Sequence, residues 1–275
     1  MSKIKLSFLL GILLLVLAVV SCKKDQQSSD LNLPVDTGGT QTPVYYNSNL
    51  LEYGYFVYTP SSYEQNEALY PLLVFLHGSG EKGNSMTTST ELNKLLNNGI
   101  TRLIGQKKWS PPHPMIVVSP QCHETSWNGK KIHKLIKYLI ANYRVNKHRI
   151  YLTGLSMGGY GTFNYLETCS DTGYVAAAVP ICGGGNTNNA KKLLNIPLWA
   201  FHGESDVTVD PLNSINMINA IKALNPSLKP KLTLYPGVFH DSWSRTYDGS
   251  GMGTEDPLYD PFNMSIFDWM FLYTK

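Results

Sequence analysis

The pentad Gly154-Leu155-Ser156-Met157-Gly158 is the first place where residue type and spacing point to chemistry. G-x-S-x-G carries a mechanism when a strand precedes it and a helix follows. Residues 149–153 form a β-rich run, and residues 160–167 suit a helix. A sharp strand-to-helix turn then holds the serine in a strained conformation, and small residues at 154 and 158 let the backbone close. The hydroxyl projects from a sheet edge, and the helix N-terminus faces any anion that forms. A serine hydroxyl is a poor nucleophile near neutral pH, so it needs a base, and the base needs an orienting carboxylate. The run 196–201 ends in His202-Gly203-Glu204-Ser205-Asp206, and an acid in the loop after this strand sits at the same edge as Ser156. Asp206 is the expected carboxylate. Its rival Glu204 lies too near the strand end, and Asp210 suits the start of the next helix. Of the seven histidines, only His240 follows the last strand, in Pro236-Gly237-Val238-Phe239-His240-Asp241, and it is the expected base. His77 and His202 each precede a glycine at a strand end and are expected to shape turns rather than carry protons. A metal site built from those two lacks a third ligand, so no metal and no organic cofactor is expected.

An anion formed at the Ser156 target needs donors. His77-Gly78-Ser79-Gly80 follows the apolar run 71–76, and such a loop aims backbone N–H groups outward. With the N–H of Met157, one donor from Ser79 completes an oxyanion hole, with Gly78 and Gly80 as alternatives. Gln121 and Trp127 follow the run 115–118, and Trp243 follows His240. Both loops border the mouth, so these three are the candidate substrate contacts. Aromatic faces there stack on a sugar or a phenolic ring, with core packing as the competing use. Residues 182–195 leave little room for a helical cap, so an open cleft is expected.

These groups need elements to hold them. Strand-like runs at 53–58, 71–76, 115–118, 149–153, 174–181, 196–201 and 231–235 alternate with helix-like intervals. Ile132, Leu135, Ile136, Leu139 and Ile140 recur at three and four, as do Ile215, Ile218, Ile221 and Leu224. Continuous apolar strands suit a parallel sheet covered on both faces. The alternation predicts an α/β fold, a doubly wound and mostly parallel sheet in one domain without a large cap. Right-handed crossovers then bring the loops after the strands to one edge.

Residues 1–21 read as a signal peptide: Lys3 and Lys5 precede an apolar run from 6 to 20, which ends in Val19-Val20-Ser21-Cys22. This resembles a bacterial lipoprotein signal, in which Cys22 becomes the lipidated N-terminus and anchors the protein to a membrane in the cell envelope. Residues 22–43 are polar and rich in turn formers, and are expected to be a flexible tether, with the catalytic domain spanning 44–275. The formal charge is +3, of which Lys3 and Lys5 supply two, so nucleic acid is excluded as a partner. Cys122, Cys169 and Cys182 allow one disulfide, or three small buried thiols.

Taken together, Gly154 to Gly159, the His77-Gly78-Ser79-Gly80 loop, Asp206 and the segment from Gly237 to Trp243 resemble the α/β-hydrolase superfamily. Within it the similarity is to lidless esterases: feruloyl and acetyl-xylan esterases, and dienelactone-hydrolase-like and polyhydroxybutyrate-depolymerase-like proteins. Pro120-Gln121-Cys122, Pro180-Ile181-Cys182-Gly183-Gly184 and His240-Asp241-Ser242-Trp243 resemble chains described as peptidases of the prolyl-oligopeptidase type. The resemblance implies a serine hydrolase acting on a small or polysaccharide-linked carboxylic ester. A serine peptidase on short peptides, or an idle carbohydrate-binding lipoprotein, are the alternatives.

Overall fold

Six runs of mostly buried residues pair in parallel, as a sheet covered on both faces requires. They are β3 (Tyr70–Leu76), β4 (Ile116–Gln121), β5 (Val145–Leu155), β6 (Val175–Ile181), β7 (Trp199–Gly203) and β8 (Lys231–Tyr235). β2 (Gly54–Thr59) pairs antiparallel with β4, and β1 (Thr40–Val44) pairs antiparallel with β2. The spatial order is β1-β2-β4-β3-β5-β6-β7-β8. The computed structural model describes residues 32–50 and 52–275. The signal peptide at 1–21, the lipidation site at Cys22 and the first part of the tether lie outside the described residues.

Alternation along each strand sorts side chains onto two faces. Leu72, Val74 and Leu76 share one core with Ile132 and Ile136 of α2 (Gly129–Asn142), Phe163 of α3 (Met157–Thr168) and Ile218 of α4 (Leu212–Ala223). Leu73 and Phe75 share the other with Ile100 of α1 (Gly99–Gly105), Tyr247 of α5 (Trp243–Tyr247) and Phe267 of α6 (Ile266–Phe271). This is the expected α/β-hydrolase arrangement. The β6–β7 connection carries only a short 3₁₀ turn, Thr187–Leu193, whose Ala190 and Leu193 are buried, so no cap rises there.

The boundary at Val44 needs correction. Thr40–Val44 is a strand in register with Val44 opposite Tyr55 and Thr40 opposite Thr59. Just before it, the Asp36 carboxylate accepts from the Tyr58 hydroxyl at 2.5 Å and the Ser61 N–H at 3.2 Å. A polar stretch containing Pro43 suits an edge strand, which has one neighbour and one wet side. Composition alone could not separate this from a tether.

The strand order explains the site. From β3 the chain steps outward to β4, then crosses back to place β5 on the other side of β3. The loops after β3 and β5 therefore diverge at one point of the sheet edge, where doubly wound sheets open a crevice.

Candidate active site

Ser156 joins β5 to α3 with φ 53° and ψ −117°, a left-handed φ that a non-glycine residue holds only under strain. Packing enforces it. A Cβ on Gly154 would lie 2.4 Å from the Gly158 oxygen, and one on Gly158 would lie 2.0 Å from the Leu76 oxygen. Only glycine fits at either place, which is the physical content of the pentad. The Ser156 N–H donates to the Ile181 carbonyl at 3.0 Å. Met157 opens α3, so its N–H has no carbonyl one turn earlier to bond.

Three groups predicted from distant segments meet here. His240 Nε2 lies 3.0 Å from Ser156 Oγ, and His240 Nδ1 lies 2.7 Å from Asp206 Oδ2. Asp206 is buried, and its Oδ1 accepts the N–H groups of Thr208 at 2.9 Å and Val209 at 3.0 Å. Burial by itself pushes the Asp206 carboxyl up. Hydrogen bonds from His240, Val209 and Thr208 outweigh that and hold it below the usual aspartate value. An ionised carboxylate only accepts, so His240 carries its proton on Nδ1 and turns a lone pair on Nε2 toward the serine hydroxyl. The rivals fall elsewhere: Asp210 caps the start of α4 by accepting the Leu212 N–H, and Glu204 is exposed.

The loop after β3 is braced from beneath. Glu81 is buried, and its carboxylate accepts the Gly78 N–H at 3.0 Å and the Asn98 side-chain amide at 2.6 Å. Gly78 is thereby spent as a donor, whereas Ser79 lines the cleft beside Ser156 and Met157. Nothing in the spacing marked Glu81, since a carboxylate three residues past a glycine reads as surface.

His77 shapes the turn, as expected. Its Nδ1–H donates to the Gly78 carbonyl at 2.5 Å, and its Nε2 accepts the Cys122 N–H at 2.8 Å, so the ring is neutral. Burial lowers its pKa from 6.5 to about 4. The unfolded chain therefore binds more protons between those values, and stability from this group is complete above about 6.5 and lost as pH falls toward 4. The loss is on the order of 3 kcal/mol. Urea unfolding at pH 7 and pH 4.5 measures it, and His77→Gln, which does not titrate, should remove that part of the slope. A slope unchanged in the variant would assign the acid sensitivity elsewhere.

His202 departs from its expected role. Its imidazole turns inward onto Asp206, with Nε2 3.1 Å from Oδ2. Burial pushes this imidazole down, against the pull of the Val209 carbonyl and Asp206.

The cleft above Ser156 holds about 600 Å³. Trp127, Tyr160, Asn164 and Asn186 line it with the residues above. Tyr160, Asn164 and Glu167 follow Ser156 along one face of α3 at steps of four, four and three, so helical spacing could have found them. Trp127 lies in the cleft wall, where its indole is largely buried and donates to the His77 carbonyl at 3.1 Å. Trp243 packs edge-on against the His240 ring, with centroids 5.2 Å apart. Gln121 is a correction: it is buried, and its amide donates to the carbonyls of Glu81 at 3.1 Å and Glu91 at 2.6 Å, tying loops together rather than meeting substrate.

Cys122, Cys169 and Cys182 are free, buried thiols. Among the described residues, Cys182, Asp206 and His240 place ligand-type atoms within 4.8 Å of one another. Burial pushes the Cys182 thiol up, so it stays protonated, and the other two are engaged with each other. That is a poor set for a cation.

A family model described as "Dienelactone hydrolase family" matches residues 36–251, a span containing Ser156, Asp206 and His240. Over 151 residues the chain is 26% identical to a bifunctional acetylxylan esterase/xylanase from Neocallimastix patriciarum, covering 54% of this chain and 21% of that protein. The chain thus spans about a fifth of that curated relative's length. A solved thermostable esterase superposes with a TM-score of 0.61 at 26% identity, covering 88% of this chain and 64% of that one. A feruloyl esterase module from Clostridium thermocellum, complexed with sinapinate, superposes with a TM-score of 0.57 at 18% identity, covering 82% and 90%. The second likeness is one of fold. Sheet order, strained serine turn and the extent of the family match agree, and the chain belongs to the dienelactone hydrolase family of α/β-hydrolases.

Proposed function

We propose that the protein is a serine esterase that cleaves carboxylic esters through an acyl-enzyme, acting on a phenolic or carbohydrate-linked ester. The observation that carries this reading is the unbroken series of contacts from Asp206 through His240 to Ser156 Oγ. His240 Nε2 takes the serine proton as Oγ attacks the ester carbonyl. Asp206 fixes the ring and stabilises the imidazolium. The N–H groups of Met157 and Ser79 receive the oxyanion, each donor worth about 2.7–4 kcal/mol in the transition state. His240 then protonates the leaving alcohol and activates the water that releases the acid.

The substrate class is supported by the open cleft, whose walls pair Trp127 and Tyr160 with the amides of Asn164 and Asn186. Aromatic faces and amides suit rings that carry hydroxyl groups. The names of the two relatives, an acetylxylan esterase and a feruloyl esterase module, point the same way. A panel of chromogenic acetyl, feruloyl and longer acyl esters, run beside aminoacyl anilides, tests it. Esters should be cleaved at least a hundredfold faster in kcat/KM. A preference for anilides would move the reading to a peptidase, and no labelling by a fluorophosphonate probe would mark an idle site.

The leader belongs to the same proposal. Lys3, Lys5 and the apolar run before Cys22 support lipidation and a bacterial envelope location. Cys22→Ser should release the protein from the membrane fraction, and continued sedimentation with membranes would defeat the anchor.

A further inference from the structure

Two imidazoles reach one carboxylate oxygen. Asp206 Oδ2 lies 2.7 Å from His240 Nδ1 and 3.1 Å from His202 Nε2. Only the first contact belongs to the proton-transfer chain proposed above. The second comes from inside the fold, because His202 is the fourth residue of β7 and its side chain has 0% exposure.

Counting donors and acceptors fixes how the ring must be held. Nε2 faces two groups, Asp206 Oδ2 and, at 2.9 Å, the Val209 carbonyl. Both only accept, so Nε2 carries a hydrogen whatever the charge of the ring. On the other edge, Nδ1 lies 2.8 Å from Ser214 Oγ of α4, and that hydroxyl lies 2.7 Å from the Gly183 carbonyl after β6. The far edge of the ring is therefore held by Ser214 of α4, and the near edge is aimed at Asp206.

We propose that His202 is a positioning residue for the catalytic base: its Nε2–H shares Asp206 Oδ2 with the Nδ1–H of His240, holding that oxygen in line and drawing off part of its negative charge. This rests on the reading of Ser156, His240 and Asp206 as the proton-transfer chain. A carboxylate oxygen that already accepts one buried donor is a weaker acceptor for the next, so it stabilises the His240 imidazolium less. The base then gives up its proton to the leaving group more readily. Loss of the His202 donor has two consequences of fixed sign. The Asp206 oxygen gains freedom, which misaligns His240 and slows the reaction. Its charge also concentrates on the His240 contact, which moves the acid limb of activity to higher pH.

Other titratable groups surround this oxygen. They are the Cys182 thiol after β6, within 4.8 Å of the Asp206 and His240 ligand atoms, and the Tyr160 phenol of α3; one step further out, the Asp241 carboxylate acts on Cys182 and the Asp210 carboxylate on Tyr160. Burial pushes the thiol and the phenol up, so both stay neutral through the working range. The two carboxylates are common to every variant compared, and their fields cancel in the difference.

The test is the pH dependence of labelling by a fluorophosphonate probe between pH 4.5 and 9, which needs no knowledge of the substrate. Wild type is compared with His202→Leu, which removes the donor, and His202→Gln, whose amide restores an N–H near the Nε2 position without a titrating ring. The leucine variant should label about tenfold more slowly on the plateau, with its acid midpoint raised by about half a unit to one unit. The glutamine variant should recover most of both. Equal plateau and midpoint in wild type and the leucine variant would overturn the proposal. So would a glutamine variant no better than leucine, because ring volume rather than the donor would then matter. A wild type that does not label at all overturns the reading of Ser156 itself, which is a separate outcome. Should the leucine variant not fold, Ser214→Ala frees the far edge of the ring, and a smaller midpoint shift in the same direction is expected; no shift overturns the proposal.

Discussion

Ser156→Ala is expected to lower kcat by a factor on the order of 10⁶ while leaving the fold intact. In the proposed mechanism the hydroxyl is the atom that attacks, and among the described residues its hydrogen-bond partner is His240, at 3.0 Å. Turnover that survives within tenfold would end the assignment of Ser156 as nucleophile. The oxyanion donors remain in the variant and should sustain a residual rate about 10³–10⁴ above water. A companion substitution separates catalysis from backbone strain. Ser156→Gly removes the same hydroxyl but also the Cβ that makes φ 53° costly. It should be as inactive as the alanine variant, yet more stable than it by about 1 kcal/mol in urea unfolding. Equal stability of the two would mean that the turn stores no strain.

Asp206→Asn should cost about 10⁴ in kcat, and here the local geometry says why. Asp206 is ringed by donors: Thr208 and Val209 N–H on Oδ1, His240 and His202 on Oδ2. An amide has one oxygen and one NH₂ group. Placed with oxygen toward the two rings, its NH₂ meets two backbone N–H groups. Placed the other way, its NH₂ meets two imidazoles and drives His240 to the tautomer with hydrogen on Nε2, which cannot take the serine proton. Either way buried donors face a donor, so the variant should also lose about 1–3 kcal/mol of stability. A steady-state assay with denaturant unfolding reads both. Loss of activity below tenfold would show that Asp206 does not orient the base.

Much of this site was legible in sequence because each member sits in a pattern that a strand end enforces. Gly154 and Gly158 mark the turn, since no Cβ fits at either position. Asp206 and His240 follow the seventh and eighth strands, and a parallel sheet sends all such loops to one edge. The residues that escaped have no such marker. His202 reads as a turn residue until its ring is seen pointing at Asp206. Glu81 reads as surface until it is found buried beneath the Gly78 N–H. Gln121 reads as a mouth residue until its amide is found bridging two loops. The edge strand Thr40–Val44 looks like a linker because a strand with one neighbour need not be apolar.

Local pattern thus decided the order of elements and the strand-to-helix turn at Ser156, and it singled out Asp206 and His240 as the proposed acid and base. Those features depend on backbone sterics and on periodicity, which the chain carries residue by residue. The three-dimensional packing decided that the Gly78 N–H is taken by Glu81, that His202 contacts the Asp206 carboxylate and that Trp127 lines the cleft. Each of these turns on a side-chain direction fixed by contacts between segments tens of residues apart, and no local spacing encodes such a direction.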